Sequence, residues 1–253
     1  MVLASGEGWL FLLRWLHFLA GITWIGMLYY FNFVQTPFFA TAEPAVRTGM
    51  IAGSLVGRAL WWFRWGAMIT FITGWLYVLH KMFGGTSVGG YGGIREFFAT
   101  AYGWKIFFGG MLGSLMWFNV WFVIWPAQQI VMASAAQVAK GGAAIPDAAP
   151  RGARSGVASR TNTMLSIPML FFMGSAMHLT MGNPTGPAQK IAALILLLVV
   201  MAAAEINAMV GPASPDKANA GKKLLATLNG TFWAGFILTA ILYFGLAIIL
   251  PRA

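Results

Sequence analysis

Three histidines are the residues in this sequence whose type and placement favour metal chemistry. His17, His80 and His178 each lie in a long apolar stretch, and the chain contains no other histidine. Imidazole is a common iron ligand, and ionisable groups within membrane helices mark functional sites. The stretch around His17 would cross a membrane in one direction and the other two stretches in the opposite direction. All three imidazoles are therefore predicted to lie in the same leaflet and to serve as the ligands of one metal centre.

The neighbours of these histidines suit a flat ligand, so the predicted cofactor is a b-type haem. Gly21 lies one helical turn from His17, and Gly174 lies one turn from His178. A missing side chain at these positions would let a porphyrin approach the helix. Two cations lie towards the same aqueous boundary, where they would pair with the haem propionates: Arg14 and Lys81.

Two alternatives to haem remain open at this point. The histidines would also suit a non-haem metal, or they would only form hydrogen bonds between helices. The sequence does not say which pair of histidines would ligate the iron, or whether one or two haems are bound.

Several kinds of chemistry are excluded by what the sequence lacks. The chain contains no cysteine, which excludes disulfides, thiolate metal sites, iron–sulfur ligation and covalently attached c-type haem. It has no phosphate-binding loop, no dinucleotide-binding glycine motif, no H-E-x-x-H and no G-x-S-x-G. The net charge of +10 does not indicate nucleic acid, because the cations are scattered through short loops as membrane topology requires.

The composition is that of a membrane protein. Hydrophobic residues make up 59% of the chain, charged residues 9%, and the mean hydropathy is +0.74, whereas soluble domains carry about 25% charged residues. The sequence predicts a single all-α integral membrane domain over residues 1–253, a polytopic transmembrane bundle of about six helices. The segment 141–158 is predicted to be a flexible loop. The six stretches long enough to cross a bilayer are residues 9–34, 60–83, 104–131, 163–181, 187–210 and 224–250.

The distribution of Lys and Arg predicts the orientation of this bundle. The loops on one side carry nine cations: Arg47, Arg58, Lys140, Arg151, Arg154, Arg160, Lys217, Lys222 and Lys223. The other side carries five: Lys81, Arg95, Lys105, Lys190 and Arg252. The positive-inside rule then places both termini outside the cytoplasm. We therefore expect a multi-pass protein of the bacterial inner membrane with periplasmic termini.

Other polar residues in the apolar stretches have less specific interpretations. Glu205 would serve as a proton-relay or quinone-site acid, or would lie at the interface or pair with a cation. Arg64 stands close to three tryptophans and is predicted to form a cation–π contact or to anchor the helix. The aromatic stretch 117–126 is predicted to pack in the bundle and at the membrane boundary, with the lining of a substrate pocket as the alternative.

Four segments of the sequence resemble a known family. Residues 15–26, with the sequence WLHFLAGITWIG, resemble the first helix of the membrane domain of bacterial urate hydroxylases, the urate oxidase N-terminal family. Residues 61–74, 117–129 and 159–178 resemble the same domain, in the same order. The resemblance implies a membrane-embedded redox domain. In full-length family members a cytochrome c domain follows, whereas this cysteine-free chain ends at Ala253. We therefore expect either that a separate cytochrome subunit accepts electrons or that the protein has a different role in a larger complex.

The leading hypothesis is therefore a b-haem membrane subunit that passes electrons between a partner and a respiratory acceptor such as a cytochrome c. A purine-oxidising activity like that of a urate hydroxylase is a subordinate possibility that follows from the resemblance. The alternatives are a non-catalytic structural or assembly subunit of a larger membrane complex and a transporter of small molecules or metals. In each case the bilayer is a partner, and nucleic acid is not.

Overall fold

The computed structural model describes residues 5–214 and 216–250, and within them the chain forms helices and no strands. The fold is thus all-α, as predicted. Arg252, which was counted above for the orientation, lies outside the described residues. The helices are α1 (Gly6–Thr41), α2 (Pro44–Ala52), α3 (Leu55–Phe83), α4 (Ile94–Phe97), α5 (Ala101–Ala139), α6 (Ala148–His178), α7 (Pro187–Met209), α8 (Ala220–Ala226) and α9 (Leu228–Ile249).

Four of these helices, α1, α5, α7 and α9, are long and apolar enough to cross a membrane. The predicted number of about six such helices is not confirmed. Helices α3 and α6 do form where the second and fourth spans were predicted, but they carry buried polar groups and the arginines Arg64 and Arg160, which lower their hydropathy. Both α3 and α6 are therefore long helices that are less apolar than the four candidate spans.

The segment 141–158 is helical from Ala148 onwards, so the prediction of a flexible loop there was wrong beyond residue 147. Alanine and arginine favour helix, and Arg151 forms an ion pair with Asp147 one turn earlier. The first turns of α6 also pack on α5, where Gln128 Nε2 donates to Ser155 Oγ at 2.9 Å. Tertiary packing therefore extends α6 well before its apolar part.

Helices α1 and α3 form a tightly packed antiparallel pair. At the closest approach a Cβ added to Gly66 would lie 3.1 Å from the backbone nitrogen of Trp24 and 3.3 Å from the carbonyl oxygen of Ala20. Any side chain larger than hydrogen would push the two helices apart. Another face of α3 exposes large apolar side chains to the surroundings: Trp62, Ile69, Ile72, Leu76, Leu79 and Phe83.

Helix α6 lies at the centre of the bundle, with Leu165 and Phe172 completely buried. Pro168 interrupts the hydrogen bonding of this helix, because its ring nitrogen cannot donate to the carbonyl of Met164. Helix α9 approaches closely at that point, since a Cβ on Gly235 would lie 2.9 Å from Met164 O. The surroundings of α6 are therefore mainly other helices, which explains how it accommodates polar residues.

Two long helices contain a segment of π-helix: Tyr30–Gln35 in α1 and Asn119–Ile124 in α5. Each segment ends just before a proline, Pro37 or Pro126, which has no N–H to continue the α-helical pattern. A π-helix inserts an extra residue per turn and so redirects the side chains that it carries. In both helices an asparagine in the π segment reaches towards α6, as described below.

Candidate functional site

His17 lies in a small niche formed by α3. Its Nδ1 is 2.9 Å from the carbonyl oxygen of Thr70, and its ring packs on Gly74, where an added Cβ would lie 2.8 Å from Cε1. The hydroxyl of Thr73 is 3.4 Å from the same nitrogen. Because a carbonyl can only accept, Nδ1 carries the proton. Nε2 then has a free lone pair, and it has no hydrogen-bond partner among the described residues.

His80 has a different environment, because it lies in the last turn of α3 and contacts the loop that follows that helix. Its Nε2 donates to the carbonyl oxygen of Val88 at 3.1 Å, and the Nζ of Lys81 donates to Gly89 O at 2.6 Å. Both side chains thereby hold the loop against the end of α3. On α1, the guanidinium of Arg14 donates to the hydroxyl of Tyr77 at 2.7 Å. Both predicted propionate partners, Arg14 and Lys81, thus contact protein groups.

His178 is the last residue of α6 and is exposed. One turn earlier, an added Cβ on Gly174 would meet nothing within 4 Å, so the helix surface there is open. No hydrogen bond holds the His178 ring among the described residues. Both of its nitrogens are therefore accessible.

The three histidines occupy the same half of the bundle but do not form one cluster. Within residues 5–214 and 216–250, no group of three His, Asp or Glu side chains is placed to hold a metal ion. Apolar side chains fill the space between the ends of α3, α5 and α6: Val78, Met82, Phe97, Ile106 and Ala176. His80 and His178 each follow a member of this cluster by two residues, about 200° around the helix. Both therefore point away from it.

The depths of His17 and His178 are similar when counted from a contact between their helices. Asn32 on α1 donates to Ser159 on α6, and these helices run antiparallel. His17 precedes Asn32 by 15 residues and His178 follows Ser159 by 19, so the two differ in depth by roughly 6 Å at 1.5 Å per residue. His80 lies six residues beyond the niche of His17, about 9 Å further towards the end of α3.

A second polar centre lies deep between α5, α6 and α7. The amide nitrogen of Asn119 donates to Asn162 Oδ1 at 3.0 Å and to Glu205 Oε2 at 3.2 Å, and Asn162 Nδ2 donates to Met116 O at 2.9 Å. Asn119 and Asn162 are completely buried. Two acceptors of this network lack a partner within the described chain, Asn119 Oδ1 and Glu205 Oε1. Glu205 forms no ion pair there, which differs from its predicted pairing with a cation.

A matching contact joins α1 to α6. Asn32 Nδ2 donates to Leu28 O and to Ser159 Oγ, both at 2.8 Å, and the hydroxyl groups of Tyr29 and Ser166 are 2.9 Å apart. Asn32, Asn119 and Asn162 were not predicted as site residues, because each stands as an isolated polar residue in an apolar run. A usable signal was available in α1 and α5, where an asparagine precedes a proline by five or seven residues.

A cavity of about 910 Å³ lies between α1, α2, α3, α5, α6 and α8, at the end of the bundle near α2 and α8. Its lining includes four cations and, among the described residues, no Asp or Glu: Arg47, Arg160, Lys222 and Lys223. Two side-chain atoms of lining residues are buried without a partner in the described chain, Nη1 of Arg160 and Oε1 of Gln35. The cavity therefore carries a positive charge that the described protein groups do not balance.

Two cations, Arg154 and the cavity-lining Lys222, support the end of α7. Arg154 donates to the carbonyls of Ala208 and Gly211, and Lys222 donates to those of Val210 and Pro212. Cations favour this position because carbonyl groups at a helix C-terminus lack donors. Burial, together with the neighbouring charge of Arg154, lowers the pKa of Lys222 below its usual value.

The predicted cation–π contact of Arg64 is confirmed, but its partners are not the tryptophans that are near it in the sequence. Its guanidinium carbon lies 3.6 Å from the ring centroid of Trp125 and 6.0 Å from that of Trp121. Both tryptophans belong to α5 and not to the neighbouring turns of α3. Arg64 therefore links two helices.

Comparison with known proteins gives one positive result. The family model described as urate oxidase N-terminal matches residues 92–244, which is more than half of the chain. The match covers helices α4 to α8 and most of α9, and so includes His178, Asn119, Asn162 and Glu205. No curated protein and no solved structure matches the chain. The match agrees with the resemblance of residues 117–129 and 159–178, whereas residues 15–26 and 61–74 lie outside it. The chain belongs to the urate oxidase N-terminal family.

Proposed function

We propose that this protein is a membrane-embedded redox subunit that binds a b-type haem through Nε2 of His17. The observation that carries the proposal is the 2.9 Å contact between His17 Nδ1 and Thr70 O. Histidines that ligate metals usually donate their other ring N–H to a carbonyl or carboxylate, which fixes the ring and its tautomer. Gly74 supports the same arrangement, because it leaves space for the ring against α3.

His178 would be the second residue to hold the haem iron. It has accessible nitrogens, lies within about one helical turn of the depth of His17, and follows the open helix surface at Gly174. His80 is the third predicted ligand. Its Nε2 donates to Val88 O, which favours a role in holding the loop after α3.

A haem in this position would supply a one-electron carrier within the membrane. The chain's own groups would orient the ring of His17 through Thr70 and would keep positive charge at the nearby boundary, where Arg14 contacts Tyr77. We propose that electrons pass from a donor to a respiratory acceptor such as a separate cytochrome c. A purine as the donor is a subordinate proposal that rests on the family alone.

The proposed setting is the bacterial inner membrane, with one integral membrane domain of six spans and periplasmic termini. Four spans have the required apolar length, and α3 and α6 would complete the set. Helix α6 is shielded by its neighbours, and α3 presents a broad apolar face. The excess of cations on the side of α2 and α8 favours a cytoplasmic location for that side.

The haem content of histidine variants tests the assignment of ligands. We expect protein produced with a haem supply to lose its haem on His17→Ala, whereas His80→Ala should lower thermal stability but keep the haem. His178→Ala should keep some haem and convert its spectrum from low-spin to high-spin, because one axial ligand is lost. Haem content that is unchanged in His17→Ala would contradict the proposal.

A further inference from the structure

The cavity near α2 and α8 has two kinds of wall. Part of its lining is apolar and includes Phe31, Phe39, Ile51, Leu60 and Phe63, and another part carries cations and amides. Its volume of about 910 Å³ lies within the range of about 300–1,000 Å³ that is typical of small-molecule sites. A ligand that fills this space must combine an apolar body with a polar head.

The charge of the lining residues determines whether the polar head of the ligand is an anion or a cation. Lys222 is already bonded to two backbone carbonyls, which leaves Arg47, Arg160 and Lys223 as the cations facing the cavity. The buried Nη1 of Arg160 has no acceptor within the described chain. A guanidinium N–H that is buried without a partner is costly, so an anion that accepts from Arg160 would be stabilised.

A second buried atom indicates which other polar group the ligand carries. Oε1 of Gln35 is buried without a donor among the described residues, so a suitable ligand offers a hydroxyl or N–H group as well as its anionic oxygens. A phosphate joined to a polyol has both features. Arginine suits phosphate particularly well, since its planar fork of N–H groups matches two phosphate oxygens.

The position of the cavity favours a lipid over a soluble anion. It extends along α5 from Ile124 to Ala135. Ile124 immediately precedes Trp125 in the sequence, and Trp125 forms the cation–π contact with Arg64. Tryptophan is enriched where helices leave the apolar layer, and basic pockets between membrane helices bind anionic headgroups. We propose that this cavity binds an anionic phospholipid, with its phosphate on Arg160 and Arg47, its headgroup hydroxyl on Gln35 and an acyl chain along the phenylalanines.

Binding of short-chain lipids to the whole purified protein in neutral detergent tests this proposal. Dihexanoyl phosphatidylglycerol should raise the unfolding temperature and bind with a measurable Kd, whereas dihexanoyl phosphatidylcholine and inorganic phosphate should bind far more weakly. Arg160→Gln should weaken binding of the phosphatidylglycerol by about tenfold or more, the usual effect of losing a charge-assisted hydrogen bond. Arg47→Gln, at an exposed position, provides a second variant in case Arg160→Gln does not fold.

Arg58→Gln is the matched control, because it removes one exposed cation from the same side of the bundle outside the cavity lining. It should leave the affinity unchanged. Equal binding by phosphatidylglycerol and inorganic phosphate would overturn the lipid assignment, and unaltered binding in both Arg160→Gln and Arg47→Gln would overturn the site. The haem spectrum of the same samples is independent of these outcomes, so failure here and failure of the redox proposal are distinguishable.

Discussion

At the scale of single side chains, hydrogen bonds determine which nitrogen of each histidine is available. Thr70 O accepts a hydrogen bond from His17 Nδ1, Val88 O accepts one from His80 Nε2, and the ring of His178 has no hydrogen bond within the described chain. Residue type and spacing identify the three histidines as candidates. They do not specify these partners, because each partner is a backbone carbonyl whose position depends on the packing of α1 on α3 or on the loop conformation.

The buried amides allow a test at the same scale. Asn119→Leu would remove the donor to Asn162 Oδ1 and Glu205 Oε2. A buried group that loses its partner costs about 1–3 kcal/mol, so we expect a clear decrease in the unfolding temperature of the detergent-solubilised protein. Gln137→Leu, at an exposed position of α5, is the control and should have little effect. Equal unfolding temperatures for both variants would show that the network does not stabilise the bundle.

At the scale of helices, the sequence predicts where long apolar helices lie, but it does not predict how they pack against one another. The predicted stretches 187–210 and 224–250 nearly coincide with α7 and α9, because a run of about 20 apolar residues has few alternatives to a helix. The π segments of α1 and α5 could not be predicted in the same way. They depend on how the chain accommodates Pro37 and Pro126 while packing on α6.

The glycines of α3 provide a test of the α1–α3 pair. A Cβ in Gly74→Ala would lie 2.8 Å from Cε1 of His17 and displace the imidazole, so we expect haem content per folded chain to fall several-fold. In Gly66→Ala the Cβ would meet backbone atoms of α1 near Trp24 instead. That variant should lose stability and keep its haem. Haem loss of equal size in both variants would contradict the niche as the basis of ligation.

At the scale of the whole molecule, the two ends of the bundle differ in chemistry. One end contains the three histidines, and the other contains the cavity with its unbalanced cations. Composition and the count of cations on each side predict a membrane protein and its orientation. They do not predict the cavity, since Arg47, Arg160 and Lys223 come from three separate parts of the sequence and meet only in the folded bundle.

The absence of cysteine in the sequence makes the proposed topology directly measurable. With six spans, Ser87→Cys would lie on the periplasmic side and Lys140→Cys on the cytoplasmic side, both at exposed positions. A membrane-impermeant maleimide should label the first variant in intact cells and the second only after permeabilisation. Labelling of both variants in intact cells would contradict this arrangement.

The absorption spectrum of the purified wild-type protein, before and after reduction with dithionite, tests the redox proposal most directly. We expect a Soret band and, on reduction, the α band of a b-type haem, at about one haem per chain. Protein that is folded and was produced with ample haem, but is colourless in both states, would contradict a haem on His17.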